Sequence, residues 1–371
     1  MTFQIPDSEP NYQALYMHIP FCAKRCAYCD FNTEAVAFGD PTIDAHIEGL
    51  VALLQDAKQR GLTDEIKTIY LGGGTPSYIG AERLQRLFDA IDIPVLEFTV
   101  EANPDSVDSR FITVLKDSGV NRISLGVQSF SDQELVALGR IHNSTQAVQA
   151  IKSLVEAFEN TSIDLISGIP EQTVKSLLAN LQRAVSLEIP HISVYPLTLE
   201  SDTELFEAVA QGKTSIASDD EQAELLEAAA DYLEGQGYEH YEIASYAHLG
   251  YQSRHNRAYW TAQPYLGLGR GAVGMYQAAG SRYRYSEQGI IEELDPREQA
   301  AEDLMLRLRL LEGAPEALVE QTCQELPDAL DCLQQLIDLK LLEQKNGFLR
   351  FTKHGWLLGN EVFRRIWGLV A

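Results

Sequence analysis

Short apolar segments alternate with longer amphipathic segments through the first 200 residues of the chain. The apolar segments are rich in β-branched and aromatic residues, and they predict strands at Ala14–Phe21, Ile66–Leu71, Leu96–Ala102, Arg122–Gln128, Ile163–Ile169 and His191–Leu199. Apolar residues at helical spacing between them predict helices near 41–60, 80–91, 108–118, 144–158 and 173–187. Regular strand–helix alternation is typical of βαβ units and a parallel sheet. The sequence therefore predicts an α/β fold, either an open sheet or part of a (β/α) barrel.

The pattern changes twice after residue 200, which predicts three domains. Residues 1–200 form the strand–helix unit. Residues 201–295 extend it, with a helix near 221–234 and then short strands and loops packed around aromatic rings. Residues 296–371 are strongly helical around one short apolar hairpin, as in a winged-helix unit. This last domain is not notably basic, so we expect it to pack against the barrel or a partner.

The charge balance argues against nucleic acid as a partner. The chain carries 29 basic and 54 acidic residues, a net charge of −25, whereas phosphate backbones are bound by basic surfaces. The N-terminal residues MTFQIPDSEPNYQ lack the basic and apolar regions of a signal peptide, and no apolar run approaches the ~20 residues of a membrane span. The odd count of five cysteines does not suggest a disulfide framework, and we interpret Cys323 and Cys332 as small buried hydrophobes. We therefore predict a cytoplasmic protein.

The other three cysteines lie together in the stretch HIPFCAKRCAYCDFN. Cys22, Cys26 and Cys29 have the spacing C-x3-C-x2-C directly after the first strand. Iron–sulfur cubes are normally held by four thiolates, so three thiolates leave one iron open for another ligand. A Cys3His zinc site with His18 is the alternative, but all the thiols lie on one loop and no second pair of ligands exists. The spacing therefore favours a cluster that does chemistry at its open corner.

Polar side chains follow several of the predicted strands. Four of the six strands lead directly into the cysteine loop, GGGTPS, EANPD and QSF. The carboxyl ends of parallel strands meet at one edge of the sheet, where α/β proteins place their sites. Glu101, Gln128, Arg140 and Asp164 lie around this edge. Each alone is typical of a structural hydrogen bond, but their shared position favours a ligand site.

Residues 72–77 read Gly-Gly-Gly-Thr-Pro-Ser directly after the second strand. Consecutive glycines let the backbone approach a ligand closely, and their N–H groups can bind a carboxylate or another anion. The alternative is a tight turn in which Thr75 caps a helix and Pro76 takes its first position. The cysteine loop on the neighbouring strand favours ligand binding.

The string His255-Asn-Arg-Ala-Tyr-Trp260 also combines polar and aromatic residues. Composition alone favours a packed aromatic corner with a hydrogen-bonded histidine. A histidine beside large rings is also how haem is often held, by an axial nitrogen and an apolar pocket. The nearby Gly269–Gly274 segment matches G-x-G-x-x-G, but it does not open a βαβ unit, so the dinucleotide interpretation fails.

Together these motifs resemble the radical S-adenosylmethionine enzymes. The strings YMHIPFC and GGGTPS are similar to those of the oxygen-independent coproporphyrinogen III oxidase family over nearly the whole chain, and HNRAYW resembles its haem chaperone branch. The resemblance implies a partial (β/α)6 barrel with a C-terminal domain, a [4Fe-4S] cluster on Cys22, Cys26 and Cys29, and cleavage of S-adenosylmethionine to a 5′-deoxyadenosyl radical. It implies S-adenosylmethionine contacts from Tyr16, Tyr28 (at the adenine), Gly73, Gly74, Thr75, Glu101, Gln128, Arg140 and Asp164.

One departure from the oxidases bears on function. The resemblance implies a further cysteine two residues after the third, and this chain has Phe31 there. That departure and HNRAYW favour haem binding, with His255 as the haem residue, and haem delivery to an acceptor protein such as a membrane-associated respiratory enzyme. The runner-up is radical decarboxylation of coproporphyrinogen III to protoporphyrinogen IX. A zinc-stabilised binding module is the third hypothesis.

Overall fold

The predicted parallel sheet is present, and it is larger than the apolar pattern indicates. The structure is a computed structural model that describes residues 11–370. Within that range its largest sheet has twelve strands: β1 (Ala14–Ile19), β2 (Thr68–Gly73), β3 (Glu97–Ala102), β4 (Arg122–Gln128), β5 (Asn160–Ser167), β6 (His191–Pro196), β7 (Glu239–Glu242), β8 (Ser245–Ala247), β9 (Tyr265–Leu268), β10 (Gly274–Ala278), β11 (Ser281–Ser286) and β12 (Gly289–Leu294). Their order across the sheet is β12-β11-β10-β9-β1-β2-β3-β4-β5-β6-β8-β7. Strands β1 to β6 are parallel neighbours in sequence order, which confirms the predicted α/β barrel unit.

The five helices predicted between the parallel strands are each present within three residues of their predicted bounds, together with further helices. In the first 235 residues they are α1 (Pro41–Gln59), α2 (Ala81–Phe88), α3 (Ser109–Asp117), α4 (Asp132–Ala137), α5 (Ser144–Ala157), α6 (Val174–Val185), α7 (Glu204–Ala210) and α8 (Asp219–Gly235). Local capping fixes several of their starts. Asp40 accepts a hydrogen bond from Thr42 N and precedes Pro41 at the first helical position of α1, and Asn143 forms a capping box with Gln146 at α5.

Side chains of the parallel strands alternate between an apolar face and a polar face. The apolar face packs against the helices and forms the main core, with members such as Leu71, Val100, Leu125, Ile163 and Val194. Parallel strands buried on both faces are usually apolar throughout. Here the alternate positions are polar and turn into the barrel, at Tyr70, Glu101, Ser124, Asp164 and Ser193, which line one cavity. The barrel interior is therefore built as a site and not as a packed core.

The segment after residue 235 extends the sheet at both edges. Strands β8 and β7 continue it antiparallel beyond β6, and β9 pairs parallel with β1 before the meander β10–β12. The string HNRAYW lies on helix α9 (Arg254–Trp260), which corrects the prediction of only strands and loops in this stretch. Gly269–Gly274 joins β9 to β10, so the rejection of a dinucleotide motif stands.

The C-terminal residues form a helical unit around a hairpin. The helices are α10 (Pro296–Leu308), α11 (Glu316–Glu325), α12 (Ala329–Asp338), α13 (Lys353–Leu357) and α14 (Gly359–Trp367). The hairpin consists of β13 (Leu342–Lys345) and β14 (Phe348–Phe351), with Ala314–Pro315 as a short third strand. Cys323 and Cys332 are half-buried against the core.

The remaining predictions concern membrane spans and the N-terminal segment. No helix within residues 11–370 is long and apolar enough to span a bilayer. The segment used to predict the lack of a signal peptide begins at Met1, and its first ten residues lie outside the described residues.

Candidate functional site

The three clustered cysteines share one loop between β1 and α1 and face one cavity. Cys22, Cys26 and Cys29 are each half-buried, and all three line a cavity of about 400 Å³ at the carboxyl end of the parallel strands. The loop is held independently of any metal: Ala27 N donates to Leu138 O at 3.0 Å, and Ala27 O accepts from Leu205 N at 2.8 Å. The protein therefore presents its three thiols in a preformed arrangement.

His18 does not belong to this thiol set. Its Nε2 lies 3.0 Å from the carbonyl oxygen of Asn32, and its Nδ1 lies 2.8 Å from the Tyr16 hydroxyl. A carbonyl oxygen only accepts, so Nε2 carries the proton and Nδ1 accepts from Tyr16. Within residues 11–370, no three histidine, cysteine, aspartate or glutamate side chains are arranged to hold a single metal ion. The contacts of His18 therefore argue against the zinc alternative, which required it as the fourth ligand.

The thiols do fit an iron–sulfur cube. Each cysteine of a cube binds a separate iron, so the sulfurs surround a volume and do not converge on a point. Thr75 Oγ1 donates to Cys22 Sγ at 3.4 Å, and Arg140 Nη1 donates to Cys26 Sγ at 3.3 Å. Burial raises the pKa of the Cys22 thiol to about 11, and donors of this kind favour the thiolate that iron requires.

The glycine turn packs closely against the first strand. Gly73 has φ +115°, and a Cβ atom there would lie 2.4 Å from the His18 ring. A Cβ atom on Gly74 would lie 2.8 Å from the carbonyl oxygen of Phe21. Both positions require glycine, because side chains would collide with β1 and the cysteine loop. The turn therefore fixes the distance between the glycine segment and the thiols.

The N–H groups of this turn have partners within the protein, and the one carboxylate among them is that of Glu101 and not of a ligand. Gly74 N donates to Ile19 O at 2.7 Å, Thr75 N donates to Phe21 O at 2.9 Å, and Gly73 N donates to Glu101 Oε2 at 3.0 Å. Pro76 does begin a short helix, as predicted, but the Thr75 side chain does not cap it. Thr75 instead contacts Cys22 Sγ and accepts from Asn103 Nδ2 at 3.0 Å.

Glu101 is a buried acid at the end of β3. Its carboxylate accepts from the Tyr70 hydroxyl at 2.6 Å and from Gly73 N at 3.0 Å. Burial raises the pKa of Glu101 to about 7, although both hydrogen bonds oppose the shift. Asp164 on β5 accepts from Ser124 Oγ at 3.1 Å, and burial raises its pKa as well. The cavity thus contains two carboxyl groups that ionise less readily than exposed carboxyls, because burial raises the pKa of each.

Arg140 joins the cysteine loop to the strand ends. Its Nη2 donates to Asn103 Oδ1 at 2.7 Å and to Gly126 O at 2.8 Å, and its Nη1 reaches Cys26. Gln128 ends β4 with φ +66°, a left-handed conformation that is costly for a residue with a side chain. This backbone bend lies on the cavity wall, where strained residues often mark a functional site.

The structure brings most predicted site residues to this single cavity. Its walls include Cys22, Cys26, Tyr28, Cys29, Gly73, Gly74, Thr75, Glu101, Gln128, Arg140 and Asp164. Tyr16 is not part of the lining, and its hydroxyl donates to His18, which also lies outside the lining.

His255 lies apart from the cavity lining and is buried under the barrel. Its side chain is 1% exposed, with Nδ1 2.9 Å from Thr68 Oγ1 and Nε2 2.9 Å from the Tyr259 hydroxyl. Burial lowers the pKa of His255 to about 3. In this conformation both ring nitrogens are engaged, so haem ligation by His255 stays a prediction that requires one of the two bonds to break and the buried ring to become accessible. The packed aromatic corner, favoured by composition alone, describes the observed contacts.

Helix α9 closes the amino-terminal end of the barrel strands. Glu97, the first residue of β3, accepts from Arg254 N at 2.8 Å and from His255 N at 3.0 Å at the start of the helix. Trp260 at its end donates to Glu242 and lies under the Arg309 guanidinium, 4.4 Å from its ring centroid. The HNRAYW string therefore ties the barrel floor to the start of the C-terminal unit.

Several cavity residues escaped the sequence reasoning. They are Tyr70, Asn103, Arg122, Ser124, Ser193, Tyr195 and Asn256. Those on strands sit at every second position, so the alternation of polar and apolar residues would have found them. Asn256 carries no such signal, because only the docking of α9 turns it toward the cavity.

Comparison with known proteins finds relatives of both the barrel and the C-terminal unit. The profile of the Radical SAM superfamily matches residues 16–184, and the profile of the HemN C-terminal domain matches residues 294–358. The heme chaperone HemW of Lactococcus lactis is 38% identical over 379 residues, covering 96% of this chain and 97% of the relative. The heme chaperone HemW of Bacillus subtilis is 33% identical, covering 95% and 98%.

A solved structure shares the fold. Coproporphyrinogen III oxidase (HemN) from Escherichia coli, a radical SAM enzyme, superposes with a TM-score of 0.79 and 20% sequence identity. The match covers 96% of this chain and 90% of that chain. This similarity confirms the predicted fold, a barrel with a C-terminal domain.

Proposed function

Because the chain belongs to the HemW family within the radical SAM superfamily, we propose that it binds haem and delivers it to an acceptor protein. The observation that carries this proposal is the 38% identity to a heme chaperone across nearly the full length of both chains. Phe31 supports it, since the oxidases that the sequence resembles have a cysteine at that position. We further propose that the acceptor is a membrane-associated respiratory enzyme and that the protein works in the cytoplasm.

Membership of the superfamily implies a [4Fe-4S] cluster and S-adenosylmethionine. We assign the cluster to Cys22, Cys26 and Cys29, a proposal supported by their common cavity and by the donors on two of the sulfurs. When bound, the cluster supplies an electron to S-adenosylmethionine. The protein's share is to position the ligand and to keep water away from it.

The cavity residues suit the polar groups of S-adenosylmethionine. Glu101 and Asp164 offer carboxylates for an amine or ribose hydroxyls, and Arg140 offers a buried cation for a carboxylate. Gln128, Gly73, Gly74 and Thr75 complete the proposed wall, with Tyr28 beside the adenine. We propose that Tyr16 acts from behind this wall, because its hydroxyl donates to His18.

Haem ligation by His255 would need helix α9 to rearrange. The ligating nitrogen would have to leave its partner, Thr68 or Tyr259, and the helix would have to leave Glu97 for haem to reach the buried ring. We therefore propose His255 as a ligand only of a conformation in which α9 has moved from the barrel floor.

The alternative function is oxygen-independent coproporphyrinogen III oxidation. The fold shared with the E. coli oxidase is the observation in its favour, but a shared fold at 20% identity does not carry an activity. The two functions separate in one experiment.

That experiment uses the full chain after anaerobic reconstitution of the cluster. We expect a Soret band that saturates at one haem per chain and loss of this band when an apo-haem protein is added. We expect no protoporphyrinogen from coproporphyrinogen III with S-adenosylmethionine and a reductant. Absence of haem binding would overturn the chaperone proposal, and turnover of coproporphyrinogen would establish the alternative.

A further inference from the structure

Resting on the proposed function, we propose that haem is received at the mouth of the barrel, on Phe31 and the cations Lys24 and Arg25. The conformation described here leaves no ring nitrogen of His255 free. A haem that approaches this conformation must therefore be held by other groups. The rim of the cluster cavity offers an aromatic ring and two positive charges together.

Phe31 is a large apolar side chain that the fold leaves in solvent. It is 65% exposed and lies on the rim of the cluster cavity. Its backbone is fixed, since Thr33 N donates to Phe31 O at 2.7 Å and the next carbonyl, that of Asn32, accepts from His18. The ring therefore stays at the surface, where an exposed apolar group commonly marks a binding site.

A second exposed aromatic ring lines the same cavity. Tyr195 is 41% exposed at the end of β6 and lines the same cavity. A porphyrin is a flat aromatic macrocycle, which stacks on or packs edge-on against such rings. Phe31 and Tyr195 thus give one cavity two exposed aromatic rings.

The positive charges at this rim are unusual for so acidic a chain. Lys24 and Arg25 lie between the first two cysteines, are exposed, and line the cavity. Arg25 Nε donates to Cys29 O at 3.0 Å, which holds its guanidinium beside the loop that carries Phe31. Among residues 11–370, no carboxylate forms an ion pair with either cation. Most other surface arginines, in contrast, form an ion pair with a carboxylate of the same chain.

Haem matches this combination, because it joins an apolar aromatic face to two propionate carboxylates. The propionates pair with Lys24 and Arg25 while the macrocycle covers Phe31. Asp30 lies beside Phe31 on the same rim and opposes the propionates by its charge. The surface binds by packing and charge and does not use the haem iron.

This last point separates mouth binding from ligation by His255. Metal-free protoporphyrin IX has the same macrocycle and propionates but no iron to ligate. It binds the mouth as haem does, whereas a histidine ligand would discriminate strongly against it. Titration of the reconstituted full chain with both compounds, followed by absorbance and tryptophan quenching, measures the two affinities.

The variants change the rim one property at a time. Phe31→Ser and the pair Lys24→Glu with Arg25→Glu each weaken binding of both porphyrins by about tenfold or more. Phe31→Tyr keeps the ring and restores affinity, and Asp30→Asn tightens binding because it removes an opposing charge. Leu249→Ser is the matched control, since Leu249 is 90% exposed and lies away from the cavity. Iron and sulfide content is measured for each variant, and an unchanged content shows that the loop is intact.

The outcomes distinguish this site from the function itself. Haem binding that persists unchanged in Phe31→Ser and in the charge-reversed pair overturns the mouth site and leaves the chaperone proposal standing. Tight binding of haem with no binding of protoporphyrin IX overturns it too. Failure of the unaltered protein to bind haem overturns the proposed function and this site together.

Discussion

Asn256 faces the barrel cavity, whereas His255, the preceding residue on the same helix, is buried with both ring nitrogens hydrogen-bonded. Adjacent residues of a helix point about 100° apart, so one motif serves two purposes. His255 fixes helix α9 to the barrel floor, and Asn256 contributes a polar group to the site. Variants of the two residues should therefore differ in kind.

We expect His255→Ala to lower the free energy of unfolding by about 3 kcal/mol, because it leaves a cavity and removes the partner of two buried hydroxyls. Asn256→Ala should lower it by less than about 1 kcal/mol, since Asn256 is only half-buried. Urea denaturation of the apo-protein measures both. Equal losses would contradict the separate roles. The comparison also shows how much of any haem defect in His255→Ala comes from the fold.

The cluster should depend on the three loop cysteines alone. We expect Cys22→Ser, Cys26→Ser and Cys29→Ser each to abolish the iron and sulfide bound after reconstitution, because a cube held by two thiolates is poorly retained. Cys323→Ser is the control, since it lies half-buried in the C-terminal helices. Chemical analysis of iron and sulfide, with absorbance spectra, checks the result. Loss of the cluster in Cys323→Ser would refute the assignment of an iron without a protein thiolate.

Glu101 should make stability depend on pH near neutrality. Its pKa rises from 4.5 in the unfolded chain to about 7 in the fold. Below pH 4.5 the carboxyl is protonated in both states, and its burial carries no ionisation penalty. The free energy of unfolding then falls as pH rises from 4.5 through 7. We expect the stability of Glu101→Gln relative to the unaltered protein to increase between pH 5 and pH 8.5, by on the order of 3 kcal/mol.

Urea denaturation of the apo-protein at both pH values measures this difference. Glu82→Gln is the control, because Glu82 is exposed and its ion pair with Arg110 lies at the surface. The assignment fails if the Glu101→Gln difference is the same at both pH values. The variant should also bind S-adenosylmethionine more weakly at pH 8.5, where the native carboxylate is charged.

Arg140 should influence the midpoint potential of the cluster as well as the binding of S-adenosylmethionine. Its Nη1 donates to Cys26 Sγ, and hydrogen bonds to cluster sulfurs stabilise the reduced, more negative state. We expect Arg140→Ala to lower the midpoint potential of the reconstituted cluster and to weaken S-adenosylmethionine binding. Redox titration followed by electron paramagnetic resonance measures the potential. Arg110→Ala, an exposed control, should leave it unchanged, and an unaltered potential in Arg140→Ala would show that this bond is absent from the loaded site.

The apolar pattern predicted the parallel strands well, because their outward residues, such as Leu71 and Leu125, must pack against helices. It missed the inward residues, such as Arg122 and Ser193, because parallel strands covered on both faces are usually apolar throughout. The motifs on the chain predicted the cysteines and Glu101. They could not predict that the glycine-turn N–H groups donate to Ile19 and Phe21, since that depends on how closely two strands pack.

Strand β9 and helix α9 come from one stretch of chain, and this bears on how the barrel can be divided. The superfamily profile ends at residue 184, before either element. A fragment cut there would expose the free edge of β1, including Tyr16 opposite Gly267, and would leave Glu97 without the helix it caps. Open strand edges invite pairing with other chains. We expect such a fragment to aggregate, so the smallest independently folding unit of this protein must include the segment that contains HNRAYW.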